Sequence, residues 1–167
     1  MQAPVPSPHA AEFDSTQFKR ALSQFATGVT VVTTRDADGR PVGLTASSFN
    51  SVSLDPPLVL WSLSLRARSL KAFRTHSHYA VNVLAADQLE LALRFARPHA
   101  DRFADVPFRI GSGGAPVLDG CAAWFECFNR SRYDEGDHVI FVGQVEACGM
   151  VPKPPLIFHD GEFLDGG

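Results

Sequence analysis

The feature that most constrains this chain is a succession of short β-branched and apolar runs broken by turn formers, with no β-α-β order repeated between them. Gly28 to Thr34 is β-branched and gives way to Asp36-Ala37-Asp38-Gly39, whose Asp-Gly supplies hairpin chemistry before a second extended run from Pro41 toward Phe49. Pro56-Pro57 opens the strand Leu58 to Leu63, and His78 to Leu84 alternates as a strand should. Two longer strands, Cys121 to Tyr133 and His138 to Cys148, flank Asp134-Glu135-Gly136-Asp137 as a second hairpin, and a short strand is expected over Leu156 to Phe158. Six or seven mainly antiparallel strands with few helices predict a small barrel with the helices packed outside. A doubly wound dinucleotide fold is excluded, since no Gly-x-Gly-x-x-Gly stands between a strand and a helix.

Three helices fit the remaining pattern. The first starts at Asp14 or Ser15, where Asp14 and Gln17 have capping-box spacing, carries Phe18, Leu22 and Phe25 on one side, and ends near Thr27-Gly28. A second spans Ala67 to Thr75 with Leu70 and Phe73 apolar, and the third spans Gln88 to Ala96 behind Asp87 and Glu90. Residues 1–12, with Pro4, Pro6 and Pro8, read as a flexible tail, leaving 13–167 as one domain. Residues 97–120 read as a long irregular loop, rich in glycine at Gly111-Ser112-Gly113-Gly114.

Charge and cysteine content narrow the chemistry. A net charge of -3 gives no positive field for nucleic acid, and no apolar run is long enough for a bilayer. The start lacks the basic and apolar segments of a signal peptide, so the cytoplasm is the expected location. Cys121, Cys127 and Cys148 have no Cys-x-x-Cys spacing and are expected as buried or half-buried free thiols. His76, His78 and His99 lack metal-ligand spacing, so no metal site is expected, and Ser47 and Ser48 lack the Gly-x-Ser-x-Gly elbow of a hydrolase.

Three places could carry chemistry. Gly43 to Ser53 concentrates small hydroxyl side chains, suited to the polar edge of a planar ring or a phosphate, or simply to an edge strand facing water. Arg66, Arg68, Lys71 and Arg74 lie beside Ser64 and Ser69, as an anion site at a helix start or as a solvated charged face. His138 ends a hairpin turn, where it could meet a substrate, with Asp137 holding its tautomer or merely making the turn.

The order of segments resembles the flavin reductase family from Phe18 to Phe158. The matching pieces are Phe25-Ala26-Thr27-Gly28-Val29-Thr30-Val31-Val32-Thr33, Gly43-Leu44-Thr45-Ala46-Ser47-Ser48-Phe49, and Ser51-Val52-Ser53-Leu54-Asp55-Pro56-Pro57. Farther on stand Tyr79 to Leu84, Phe95-Ala96, Pro116-Val117-Leu118, Cys127 and Gly136-Asp137-His138. The resemblance implies a mainly β, antiparallel, FMN-binding split β-barrel of Greek-key type with a few short peripheral helices, paired as a homodimer with flavin near the interface. It implies that Thr45, Ala46, Ser47 and Ser48 line the isoalloxazine, with Asn82 on the neighbouring strand and Phe95 also in the cofactor-binding set. Ser62, Arg68 and Ser69 would approach the ribityl-phosphate end, and His138 would orient the nicotinamide. Leu65-Arg66-Ala67-Arg68-Ser69 departs from the more polar run common among relatives, so the resemblance fixes the fold more firmly than the choice of FMN or FAD. The implied reaction is hydride transfer from NADH or NADPH to FMN or FAD, supplying reduced flavin to a partner monooxygenase. The alternatives on the same fold are an oxidase or reductase with tightly bound FMN acting on another small molecule, and a non-catalytic flavin-binding protein.

Overall fold

The computed structural model describes residues 2–165. Residues 2–14 carry neither helix nor strand and are exposed. The first helix, α1 (Ser15–Ser23), begins where Asp14 accepts the Gln17 main-chain N–H at 2.7 Å, as its spacing predicted. It stops at Ser23 rather than running to Thr27-Gly28, because those two residues form a short strand, β1 (Thr27–Gly28).

The expected first hairpin is present as β2 (Thr30–Arg35) and β3 (Pro41–Ala46). Next come β4 (Asn50–Leu54), β5 (Pro57–Ser64), α2 (Leu70–Thr75), β6 (His78–Val83) and α3 (Leu89–Ala96). The helix α2 is shorter than its pattern suggested, since Arg68 and Ser69 form a turn and Ala67 before them is neither helix nor strand. A 3-10 turn, Ala86–Gln88, leads into α3, and Gln88 rather than an Asp87–Glu90 box closes it: the Gln88 side-chain oxygen accepts the Ala85 N–H at 2.9 Å. The segment 97–120 is not wholly irregular, for it contains a small hairpin of β7 (Phe108–Ile110) and β8 (Pro116–Leu118). The long hairpin follows as β9 (Ala123–Glu135) and β10 (His138–Met150), and the chain closes with a hairpin, β11 (Leu156–His159) and β12 (Glu162–Asp165), where a single strand was expected. Phe163 of β12 packs back on Phe158 at 5.1 Å between ring centres.

Seven of these strands form one antiparallel sheet in the order β3-β2-β6-β9-β10-β5-β4. Its two edge strands are consecutive in sequence, separated only by Ser47, Ser48 and Phe49. If the sheet were flat, six strand spacings of roughly 4.8 Å would hold those edges about 29 Å apart. The link from Ala46 to Asn50 reaches at most about 14 Å. The sheet must therefore curl until β3 and β4 approach, which gives a barrel split along residues 47–49.

Strand alternation fills two cores. Inside the barrel, Trp61 stacks on Phe141 at 4.8 Å and meets Phe73 edge-on at 4.9 Å, with Tyr79, Val32, Val81 and Val139 around them. On the outer face, Val29, Val31, Leu84, Ala92, Phe95 and Leu118 form the second core beneath α3 and the small hairpin. Since β2 and β6 are covered on both faces, adjacent residues such as Val31 and Val32 are both buried.

Candidate functional site

A groove of about 1200 Å³ runs between β3, the start of α2 and the segment after α3. Gly43 fixes its floor: a Cβ there would stand 2.9 Å from the Phe95 ring and 3.2 Å from that of Phe103, so only glycine admits both rings. Phe95 and Phe103 meet edge-on at 5.0 Å. Arg102 ties the outer wall to the strand, donating to Gly43 O at 2.8 Å and to Arg97 O at 2.8 and 3.1 Å.

The groove brings together Thr45, Arg68, Ser69 and Phe95 of the predicted set. Phe95 contributes from beneath, fully buried. The Thr45 hydroxyl is already used, donating to Ala92 O of α3 at 2.7 Å, so its contribution to a ligand is main chain and shape. Lys71, named in the sequence as part of a basic cluster, also lines the groove, whereas sequence reasoning did not nominate Arg102, which lies in the segment read as loop. No carboxylate is within salt-bridge distance of Arg68, Lys71 or Arg102 among the described residues, whereas Arg40 is paired with Asp36 and Asp38. Asp101, also on the groove, is turned to the Phe103 N–H at 3.1 Å. Partial burial, helped by the charge of Arg68, lowers the Arg102 pKa from its usual value. Unneutralised cations along a groove favour a polyanion. Since α2 has only six residues, that attraction comes from side chains and not from a helix end.

The other predicted residues lie beyond the groove, along the split. Ala46 is buried, its carbonyl accepting the Thr30 hydroxyl at 2.7 Å. Ser47 is exposed. Ser48 turns back, its hydroxyl accepting the Ser62 N–H at 2.9 Å and donating to Ser62 O at 3.3 Å. That hydroxyl satisfies the β5 main chain just past the end of its pairing with β4. Two residues on, Ser64 lies opposite His138 in the β5–β10 ladder, so the 47–48 link, Ser62 and His138 follow one another along one margin of the barrel. The His138 side chain is about half exposed, and its Nδ1 lies 2.7 Å from Asp137 Oδ1. That hydrogen bond, with the ring's charge, holds the Asp137 carboxyl below the usual carboxylate range.

Asn82 does not reach the groove. It is fully buried on the outer face of β6, donating to Val31 O and the Thr33 hydroxyl and accepting the Leu118 N–H at 2.9 Å. Its amide ties β2 and β8 to β6. Among the thiols, burial pushes Cys121 up to about 11 and Cys127 up to about 12, which makes both poor nucleophiles. Cys148 departs from expectation in being exposed. Among the described residues, no group of His, Cys, Asp or Glu could hold a metal ion, and no helix is long and apolar enough to cross a membrane.

Comparison with known proteins bears on what this arrangement serves. Residues 22–167 match the family model described as the flavin reductase like domain. The FMN reductase (NADH) SmoA of Agrobacterium fabrum is 45% identical over 150 residues, covering 90% of this chain and 85% of that protein. The reductase component of the flavin-dependent trigonelline monooxygenase of Acinetobacter baylyi is 45% identical over 148 residues, covering 89% of this chain. The chain spans only 48% of that relative and 44% and 59% of two from Rhizobium meliloti. Among solved structures, the NADH:FAD oxidoreductase SgcE6 of Streptomyces globisporus, in complex with NAD and FAD fragments, superposes with a TM-score of 0.85 at 38% identity, covering 90% of this chain and 92% of that one.

Proposed function

The chain belongs to the flavin reductase like domain family, and on that footing we propose that it is an NAD(P)H:flavin oxidoreductase that hands reduced flavin to a partner monooxygenase. The observation that carries the reading is the groove itself: three cations without carboxylate partners line a cleft whose strand wall, β3, continues directly into the small-residue link on the barrel split. A flavin nucleotide has that division of chemistry, anionic at one end and flat and polar-edged at the other.

In this assignment Arg68, Ser69, Lys71 and Arg102 hold the phosphate, while the main chain of residues 45–48 and the Ser47 hydroxyl face the ring edge. Ser62 supports the site through Ser48. Bound flavin supplies the hydride acceptor for a reduced nicotinamide, so the protein needs no side-chain nucleophile. Consistent with that, the two buried thiols are chemically quiet and the one exposed thiol lies on β10 away from the groove lining. His138 orients the nicotinamide, and small residues at 46–48 leave the approach open.

Two further parts of the reading concern assembly and place. The protein pairs as a homodimer, supported by the apolar side chains that α1 leaves exposed in a single copy. It works in the cytoplasm, where a reaction consuming reduced nicotinamide draws on the cell's own pool.

Anaerobic mixing of the protein with FMN, FAD or riboflavin and with NADH or NADPH tests the assignment. Bleaching of flavin absorbance in proportion to donor, with turnover rising as free flavin is added, is the expected result. Flavin that binds but stays oxidised with both donors would leave a binding protein, and a single turnover per bound FMN would leave a tightly loaded flavoprotein.

A further inference from the structure

The turn that carries His138 is built more firmly than a hairpin needs. Gly136 takes the left-handed conformation at φ 57°, and the Asp137 carbonyl then accepts the Leu65 N–H at 3.0 Å, pinning the turn to the end of β5. With its main chain fixed there, the exposed Asp137 carboxylate reaches the His138 Nδ1 at 2.7 Å. An ionised carboxylate can only accept, so Nδ1 carries the proton in this bond. In the neutral ring Nε2 then keeps its lone pair, and it makes no hydrogen bond among the described residues.

We propose that Asp137 is a positioning residue that fixes the His138 tautomer, so that Nε2 accepts the carboxamide N–H of the nicotinamide donor. The inference rests on the nicotinamide-side reading of His138 given above. It adds which atom recognises which group, and makes donor selectivity a property of an Asp-His pair. An aspartate that only formed the turn would act through its main chain, and its carboxylate would be free to vary.

The test compares NADH with its 3-acetylpyridine analogue, in which a methyl ketone replaces the carboxamide, keeping the carbonyl and losing the N–H. Two quantities are measured at pH 8: the KM of each reduced donor, and the calorimetric dissociation constant of each oxidised form on FMN-saturated protein. The binding constants matter because the analogue also differs in redox potential, which acts on kcat. The wild type is expected to prefer the carboxamide by about tenfold, the scale of one hydrogen bond. Asp137→Ala is expected to erase that preference by weakening NADH and NAD⁺ to the analogue's level, with the analogue and flavin affinity changed less than about twofold. Asp137→Asn, whose carbonyl still accepts the Nδ1 proton, keeps most of the preference. Equal loss for both donors in Asp137→Ala, an undiminished preference there, or a wild type indifferent to the carboxamide would each overturn the proposal. A wild type that reduces no flavin with either donor overturns the reductase reading first, so the two failures are told apart.

Discussion

Helices α1 and α3 carry similar apolar patterns and meet opposite fates. In α3, Ala92 and Phe95 are fully buried against the outer face of the sheet, and Phe95 forms the floor of the groove. In α1 nothing is buried: Phe18 is 50% exposed, Leu22 58%, and Phe25, just beyond it, 78%. Amphipathic spacing shows that a face wants covering and is silent on what covers it. For α3 the cover is the chain's own sheet; for α1, in the reading above, it is a second copy.

The sharpest contrast should come from mutating each face. Phe95→Ala should cost about 3–5 kcal/mol of stability, because it opens a cavity under the groove and strips Phe103 of its edge-on partner. Chemical denaturation measures this, and a loss below about 1 kcal/mol would mean that α3 is no more anchored than α1. Leu22→Glu should instead leave the fold of each copy nearly untouched and weaken dimerisation by at least about a hundredfold, since it places a charge in an apolar interface. Sedimentation across a concentration series would read this, and an unchanged assembly would remove α1 from the interface.

Smaller effects refine the picture. Arg68→Ala removes a charge beside α2 and should weaken FMN binding about tenfold while sparing riboflavin, which lacks the phosphate. Its unfolding midpoint should stay within about 0.5 kcal/mol of wild type, separating ligand binding from the packing tested by Phe95→Ala. Asp14→Ala deletes the cap on α1 and costs about 1 kcal/mol at most. If α1 is docked in a dimer, that loss should appear in dimer stability; if α1 hangs free, global unfolding should not register it.

Much of this architecture could be read from residues alone because the relevant signals are local. Asp-Gly and Glu-Gly-Asp turns placed the β2–β3 and β9–β10 hairpins, and the small hydroxyl run at 43–53 spans the barrel's split. The misses have nonlocal causes. Asn82 was put beside the ring by the resemblance alone, but β6 is a central strand covered on both faces, and its amide is spent bracing β2 and β8. Thr45 lies on the groove wall, yet its hydroxyl is captured by a helix carbonyl 47 residues away. Arg102 was invisible because its role depends on the fold of 97–103 over Gly43, and β7 and β8 have three residues each, too few to display a period. The turn fell within the expected 134–137 but is tighter, since Asp134 and Glu135 extend β9 and only Gly136-Asp137 turn, while the bond between Asp137 and Leu65 needed the β5–β10 register to become visible.

One property of the barrel lies in the three residues between β3 and β4. No rung of the main ladder crosses Ser47, Ser48 and Phe49, so a circular permutant cut there would retain every strand pairing of the sheet. What it would give up is the tether that bends the sheet round on itself. Curvature in this molecule is thus written into a short leash, separable from the pairing code, and lengthening that leash residue by residue would tune how widely the two margins gape.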